Sequence, residues 1–343
     1  MIETLRRDRE IFEHFCRKEE YGAAITDQFG RFPYYASRHR NVFDPVVSRY
    51  LRNHGHDMRC GDGDSFAVCL THDVDVMGKG GILNYGAGFA KALLGGSISG
   101  AFNEYTSEAF EGRYLEVEQV IELERKYGAS SSFYFLAVDR DSPDFSYDVS
   151  GLRRVFDLIA DNGCEVGLHG SQAAYDSVEE MRKEKMMLEK ASGRKVVGYR
   201  NHFLRFSVPL TWRLLQEAGF LYDTTLGYAD CVGFRNGMCH PFRPYDAQAN
   251  QTIDVIEIPL AVMDQTLFDN YMRLDMQGAW ELVKRLIDVV EGCHGTIVLL
   301  WHHNNLYGDH LKFYEKILRY CLEKRALMTS GEDIARKAAP LLK

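Results

Sequence analysis

The sequence predicts an α/β fold built on a parallel sheet. Strand-length apolar runs alternate with helical patterns along most of the chain, as expected when strands and helices alternate around one sheet. Several of these runs are apolar almost without interruption, which suits strands covered on both faces. Polar residues able to do chemistry gather at the ends of the runs, where α/β barrels carry their sites. Seven such runs suggest a barrel; a doubly wound open sheet is the alternative.

The expected strands are 66–71 (FAVCLT), 131–137 (SSFYFLA), 164–169 (CEVGLH), 196–200 (VVGYR), 220–225 (FLYDTT), 254–260 (DVIEIPL) and 295–301 (GTIVLLW). Helical patterns fall between them at 115–127, 151–162, 177–192, 209–218, 276–292 and 309–324. The pattern at 177–192 opens on Ser177, a fitting N-cap, with Glu180 three residues on as a capping-box partner. It stops before Gly193, which suits the left-handed position after a helix. Two stretches break the alternation. Residues 1–65 precede the first strand and read as an extension packed on the barrel, too short to make a good core alone. The barrel domain then spans 66–343. Residues 78–114 follow the first strand, are rich in glycine and are expected as an insertion over the barrel mouth, either a lid or a plain surface insertion.

The 343 residues carry 41 Lys and Arg against 49 Asp and Glu, a net charge of −8. That balance argues against a nucleic-acid binder, which needs a basic face. No apolar run approaches the ~18 residues of a membrane span. The sequence opens MIETLRRDREIFEHF, charged from the third residue, so a cytoplasmic protein is expected. Eight cysteines are scattered without a C-x-x-C pair, which reads as reduced, packed thiols rather than a structural zinc site.

The strand ends carry the chemistry. The first run leads into Thr71-His72-Asp73-Val74-Asp75, the third ends in His169-Gly170-Ser171, the fourth in Arg200-Asn201-His202, and the last in Trp301-His302-His303-Asn304. Asp223 lies in the fifth run and Asp264 follows the sixth. With a period of two, Thr71, Asp73 and Asp75 share one face and His72 and Val74 the other. Two carboxylates this close stay ionised only with a cation or an Arg between them. One Asp on a metal and the other as a base would resolve the conflict, and His169 would suit zinc, which takes imidazole nitrogen and carboxylate oxygen.

In this order the motifs THDVD, EVGLHGS, GYRNHFLRF, FLYDTTL and IVLLWH resemble the polysaccharide deacetylases of carbohydrate esterase family four, chitooligosaccharide-deacetylase-like barrels, and most closely their bacterial surface-polysaccharide branch. The resemblance covers about 66–330. It implies a distorted (β/α)7 barrel, here with the N-terminal extension. It also implies Asp73 as general base, Asp75 and His169 as metal ligands, Arg200 as the partner of the base, and His302 of Leu300-Trp301-His302 as general acid. The family's second metal-binding His has no counterpart, since Ala173 occupies its place in His169-Gly170-Ser171-Gln172-Ala173. His202, two residues after Arg200 and on its face, is the expected replacement. The family's Trp after the fourth-motif Asp is absent after Asp223. Asp264 is expected either to orient His302 or to form a turn.

The resemblance therefore implies a hydrolase using a divalent metal, zinc by its donors, to remove N-acetyl groups from an amino sugar; with a cytoplasmic protein expected, a nucleotide- or lipid-linked precursor of a surface polysaccharide is the expected substrate. A hydrolase of a non-carbohydrate amide and a non-catalytic carbohydrate-binding protein that lost its metal are the competing readings.

Overall fold

A computed structural model describes residues 1–59, 66–77, 107–269 and 271–342, with side chains described from 116 onward in the third segment. The barrel strands are β1 (Ala67–Val74), β2 (Ser132–Leu136), β3 (Glu165–Gly170), β4 (Gly198–Asn201) and β5 (Tyr222–Asp223). A short antiparallel hairpin follows, β6 (Tyr245–Asp246) and β7 (Gln251–Thr252). The sheet then resumes with β8 (Ile256–Glu257), β9 (Leu260–Met263), β10 (Thr296–Leu300) and β11 (Leu327–Thr329).

All pairings within the main sheet are parallel, in the order β8-β5-β4-β3-β2-β1-β10-β9. Its two edge strands, β8 and β9, are joined only by Ile258 and Pro259. The sheet must curl until its edges meet, so it is an α/β barrel with one seam and not a doubly wound open sheet. β1 has a divided neighbour: its opening half pairs with β11 and its closing half with β2.

The sheet has nine strands, two more than the sequence count. The expected strand at 254–260 is two strands, because Pro259 has no N–H to give a ladder and the chain passes there from one sheet edge to the other. β11 is too short to carry a period. The first strand also runs past 71 to Val74, so Asp73 lies within the strand.

The expected helices correspond to α4 (Ser107–Lys126), α5 (Arg153–Asp161), α6 (Val178–Ser192), α7 (Leu210–Glu217), α9 (Met276–Cys293) and α10 (Gly308–Glu323). α8 (Asp264–Phe268) follows β9 directly and α11 (Gly331–Ala338) follows β11. Ser177 caps α6 by accepting from the Glu180 amide, and Gly193 takes φ +66 after it. The reciprocal half of the capping box is replaced, since the Ser177 amide donates to the Ala174 carbonyl. Of the insertion expected at 78–114, residues 78–106 lie outside the described residues and the remainder begins α4.

The N-terminal segment contributes α1 (Ile2–Leu5), α2 (Arg9–Phe15) and α3 (Val46–Asn53). It packs on the 227–245 stretch. Arg17, fully buried, donates to the Arg235 carbonyl at 2.7 Å, and both arginines hold the Glu20 carboxylate at 2.6 Å. Val47 and Ser48 amides share the Gly237 carbonyl, and Phe15 packs on Phe242 at 5.1 Å.

Inside the barrel, alternate residues stack in layers. Tyr134 and Tyr222 fill the lower interior, joined by their hydroxyls at 2.7 Å. Room for them comes from missing side chains: a Cβ on Gly167 would lie 2.5 Å from the Tyr134 ring, and one on Gly198 would lie 2.3 Å from the Tyr222 hydroxyl. Arg200 sits above, its guanidinium 5.2 Å from the Tyr134 ring centre. The polar cluster lies above Arg200, at the C-terminal ends of the strands.

Candidate active site

β1 alternates as its sequence predicts. Thr71, Asp73 and Asp75 face inward, and all are buried. His72 faces outward and is fully satisfied, with Nδ1 at 2.8 Å from the Trp301 carbonyl and Nε2 at 2.9 Å from Glu124. It is a packing histidine. The loop after β2 clamps the end of the strand: the Ser146 and Tyr147 hydroxyls donate to the Asp75 and Val74 carbonyls.

Three imidazoles converge on Asp75, and each is fixed by its other nitrogen. His169 ends β3 with Nδ1 at 3.0 Å from the Arg200 carbonyl. A carbonyl only accepts, so Nδ1 carries the proton and Nε2 looks inward, 3.2 Å from Asp75 Oδ1 and 3.8 Å from Asp73 Oδ2. His202 lies one residue beyond β4, in a 3-10 turn (His202–Leu204) rather than in the strand. Its Nδ1 is 3.0 Å from Asp144 Oδ1, and its Nε2 is 3.9 Å from Asp75 Oδ1. His302 follows β10, with Nδ1 at 2.7 Å from Asp264 Oδ1 and Nε2 at 3.5 Å from Asp75 Oδ2.

Asp264 does more than form a turn. It opens α8 beside β10, and its second oxygen accepts from the His302 amide at 3.0 Å and from Asn305 at 2.9 Å. Arg200, fully buried, donates to Thr71 at 3.0 Å and to Thr224 at 3.3 Å, and lies 3.7 Å from Asp73 Oδ1. His303 stays out of the cluster, with Nδ1 at 3.4 Å from the Asp73 carbonyl and Nε2 toward Glu116. Asp223 also points elsewhere: it accepts from the Thr225 amide and hydroxyl, away from the histidines.

The electrostatics follow from this crowding. Burial opposes charge on Asp75, yet the His169 hydrogen bond and the charges of His202, His302 and His169 hold its carboxyl well below the usual range. Burial likewise opposes charge on His302, but the Asp264 carboxylate, with Asp75 and Asp73 behind it, raises its pKa to about 10. His202 is raised by Asp144, Asp75 and Asp73 against its burial.

Asp75, His169 and His202 each offer a ligand atom within 4.8 Å of the other two. Among the described residues, His202 Nε2 is buried and without a hydrogen-bond partner, and Asp75 Oδ1 has His169 Nε2 at 3.2 Å. Two imidazole nitrogens and a carboxylate oxygen gathered in one buried space are a donor set that fits a divalent ion. Imidazole nitrogen and carboxylate oxygen are donors that zinc accepts.

Asp144 is the member that sequence reading missed. It sits in DRDSPDFSYD (139–148), the loop after β2, among three other aspartates. Its carboxylate takes the Gln172 amide and side chain as well as His202. Carboxylate support of a ligating imidazole is the usual arrangement behind a metal.

No protein-family model and no curated relative matches the chain. Among solved structures, a Mycobacterium smegmatis protein assigned as a polysaccharide deacetylase has 20% sequence identity and a TM-score of 0.58, with 84% of this chain and 96% of that chain covered. A carbohydrate esterase family four pseudoenzyme from Bacillus anthracis aligns at 13% identity and a TM-score of 0.43, covering 81% of this chain and 67% of that one. A family 4 carbohydrate esterase from Streptomyces lividans, in complex with acetate, aligns at 11% identity and a TM-score of 0.40, covering 78% and 93%. At these identities the likeness is one of fold, and the first structure carries it: the chain shares the barrel fold of that Mycobacterium smegmatis protein.

Proposed function

We propose that the protein is a metal-dependent amide hydrolase that removes N-acetyl groups from an amino sugar of a surface-polysaccharide precursor. The observation that carries this reading is the convergence of His169 and His202 Nε2 on Asp75, flanked on one side by Asp73 with Arg200 and on the other by His302 with Asp264. Asp75, His169 and His202 would hold the ion, with zinc the best match to the donors. When bound, the cation supplies Lewis-acid polarisation of the scissile carbonyl and lowers the pKa of water.

The chain's own residues do the rest. Asp73 takes a proton from the attacking water as the new C–O bond forms. Arg200, 3.7 Å away, holds Asp73 in place. The raised pKa of His302 keeps its imidazole protonated at neutral pH, the form that can donate. Its Nε2 proton passes to the departing nitrogen as the C–N bond breaks, leaving acetate and a free amine. Asp264 fixes the His302 ring and favours its charged form.

An acid–base pair on either side of a metal site supports hydrolysis over simple sugar binding, which needs neither proton donor nor acceptor. The test is acetate release from N-acetylated amino-sugar oligomers and from nucleotide- and lipid-linked N-acetyl amino sugars by the zinc-loaded protein. Release that is abolished by a chelator and by His302→Ala supports the reading. Zinc-loaded protein that releases acetate from none of these substrates contradicts it.

A further inference from the structure

Phe203 and Leu204 have φ of +59° and +55°, two successive residues other than glycine in the left-handed region. That conformation is unfavourable for residues with a Cβ, and it persists only where surrounding groups hold it. The pair follows His202 directly, so the conformation sets the course of the chain at that imidazole.

The N-terminal segment supplies the holding groups. Arg31 Nη1 donates to the Phe203 carbonyl at 2.8 Å. The Phe29 ring stacks on Phe203 at 4.7 Å and 12°, and Phe203 stacks in turn on His202 at 4.0 Å and 23°. The Arg31 guanidinium lies 4.8 Å from the Phe29 ring centre. The segment is itself folded around one carboxylate. Asp27 Oδ1 accepts from the Phe29 and Arg31 amides at 2.9 and 3.0 Å, and Oδ2 pairs with the Arg31 side chain at 2.6 Å. Arg31 reaches across to the Tyr271 hydroxyl at 2.7 Å as well. Phe29 and Arg31 therefore press on the ring face and on the backbone of the same residue, Phe203.

We propose that Phe29 and Arg31 are positioning residues for the metal centre, holding the Phe203 turn so that His202 Nε2 stays aimed at Asp75. The proposal rests on the reading of His202 as a ligand. It gives the N-terminal segment a part in the site that lies in its geometry, with no contact to the ion or the substrate. Two fixings then act on one imidazole: Asp144 sets the rotation of the ring, and the 27–31 loop sets the backbone from which it projects.

The test uses the full-length protein, with zinc affinity measured by chelator competition and the coordination sphere read from the visible spectrum of the cobalt(II)-loaded form. Phe29→Ala and Arg31→Ala should each weaken zinc binding by roughly 10–100-fold, the range for removing support behind a ligand. Their cobalt spectra should move toward that of His202→Ala. Phe29→Trp, which keeps a stacking ring, should restore both readings. A role confined to general stability would lower the melting temperature and leave the cobalt spectrum of the folded protein unmoved, and that result would overturn the proposal. If the alanine variants do not fold, Phe29→Leu and Arg31→Lys keep bulk and charge while losing the ring and the fork. Wild-type affinity and spectrum in those variants would also overturn it. Wild-type protein that binds neither zinc nor cobalt would remove the metal reading itself, and the proposal with it.

Discussion

The two ends of the barrel both bury carboxylates, and they treat them in opposite ways. At the N-terminal end, Glu165 opens β3 and its Oε2 receives the Ser132 hydroxyl at 2.6 Å, the Tyr222 hydroxyl at 2.8 Å and the Glu332 amide at 2.8 Å. The Ser132 hydroxyl accepts from the Gly331 amide, so this network also ties down the first turn of α11. Burial pushes the Glu165 carboxyl up to about 7 despite these donors. At the C-terminal end, Asp75 is held low by three histidines, and Asp73 Oδ1, Arg200 Nη1 and His202 Nε2 are buried without hydrogen-bond partners, where the Glu165 network at the other end leaves Glu165 Oε1 in that state. Buried polar groups are ordinarily paired, and unpaired ones call for an explanation. One end is a plug that closes the barrel with hydroxyls and amides. The other is a charged cluster that, on the proposed reading, a cation and a substrate would complete. The difference separates buried polarity that serves the fold from buried polarity that serves a reaction.

The largest expected effect lies at the reactive end. His302→Ala and Asp73→Asn should each lower kcat/KM by about 10²–10⁴-fold, the range for one general acid or base. Asp73→Asn should keep its zinc, because the ligand role belongs to Asp75, and steady-state kinetics beside metal analysis of the same preparation checks both points. Turnover near wild type in Asp73→Asn would remove that residue from the base role.

A smaller effect is expected one layer back. Asp144→Asn leaves the His202 imidazole without a charged acceptor and should weaken zinc binding by roughly 10–100-fold while the fold is retained. Competition with a chromophoric chelator reads this directly. Unchanged affinity would mean that Asp144 belongs with the packing groups of the other end.

The smallest effect on the reaction is expected at the base of the barrel. Glu165 has a folded pKa raised from 4.5 to about 7. Its contribution to stability is therefore complete below about 4.5 and is lost as pH rises through about 7. Glu165→Gln should remove that decline, on the order of 3 kcal/mol across the window, and leave kcat/KM and zinc content unchanged. Urea unfolding at a series of pH values measures it. A variant that loses activity without losing stability would erase the distinction between the two ends.

Much of the reactive end is legible in the sequence because strand periodicity fixes it. Once 66–71 reads as a strand, Asp73 and Asp75 must share a face and His72 must leave it, and the structure has them so. Arg200 and His302 are legible as polar residues at other strand ends, and their expected roles come from the resemblance, not from a period. His202 is legible as a spare histidine near Arg200, but its direction depends on the left-handed turn at Phe203 and Leu204, which no period encodes. Asp144 is not legible, because a loop and not a strand carries it to His202. The base of the barrel is hidden for a related reason. Glu165 and Ser132 begin strands that read simply as apolar, and their partners come from α11, far along the chain. Nor does the apolar run at 254–260 betray that Pro259 divides it between the two edges of the sheet.

The central claim is that Asp75, His169 and His202 form one divalent metal site. Metal content of the purified protein after zinc loading and desalting, compared among wild type, Asp75→Ala and His202→Ala, tests it most directly. The account predicts about one zinc per chain in the wild type, with occupancy largely lost in both variants while their folds persist by circular dichroism. Wild-type protein that retains no stoichiometric ion, or folded variants that retain it in full, would contradict the account.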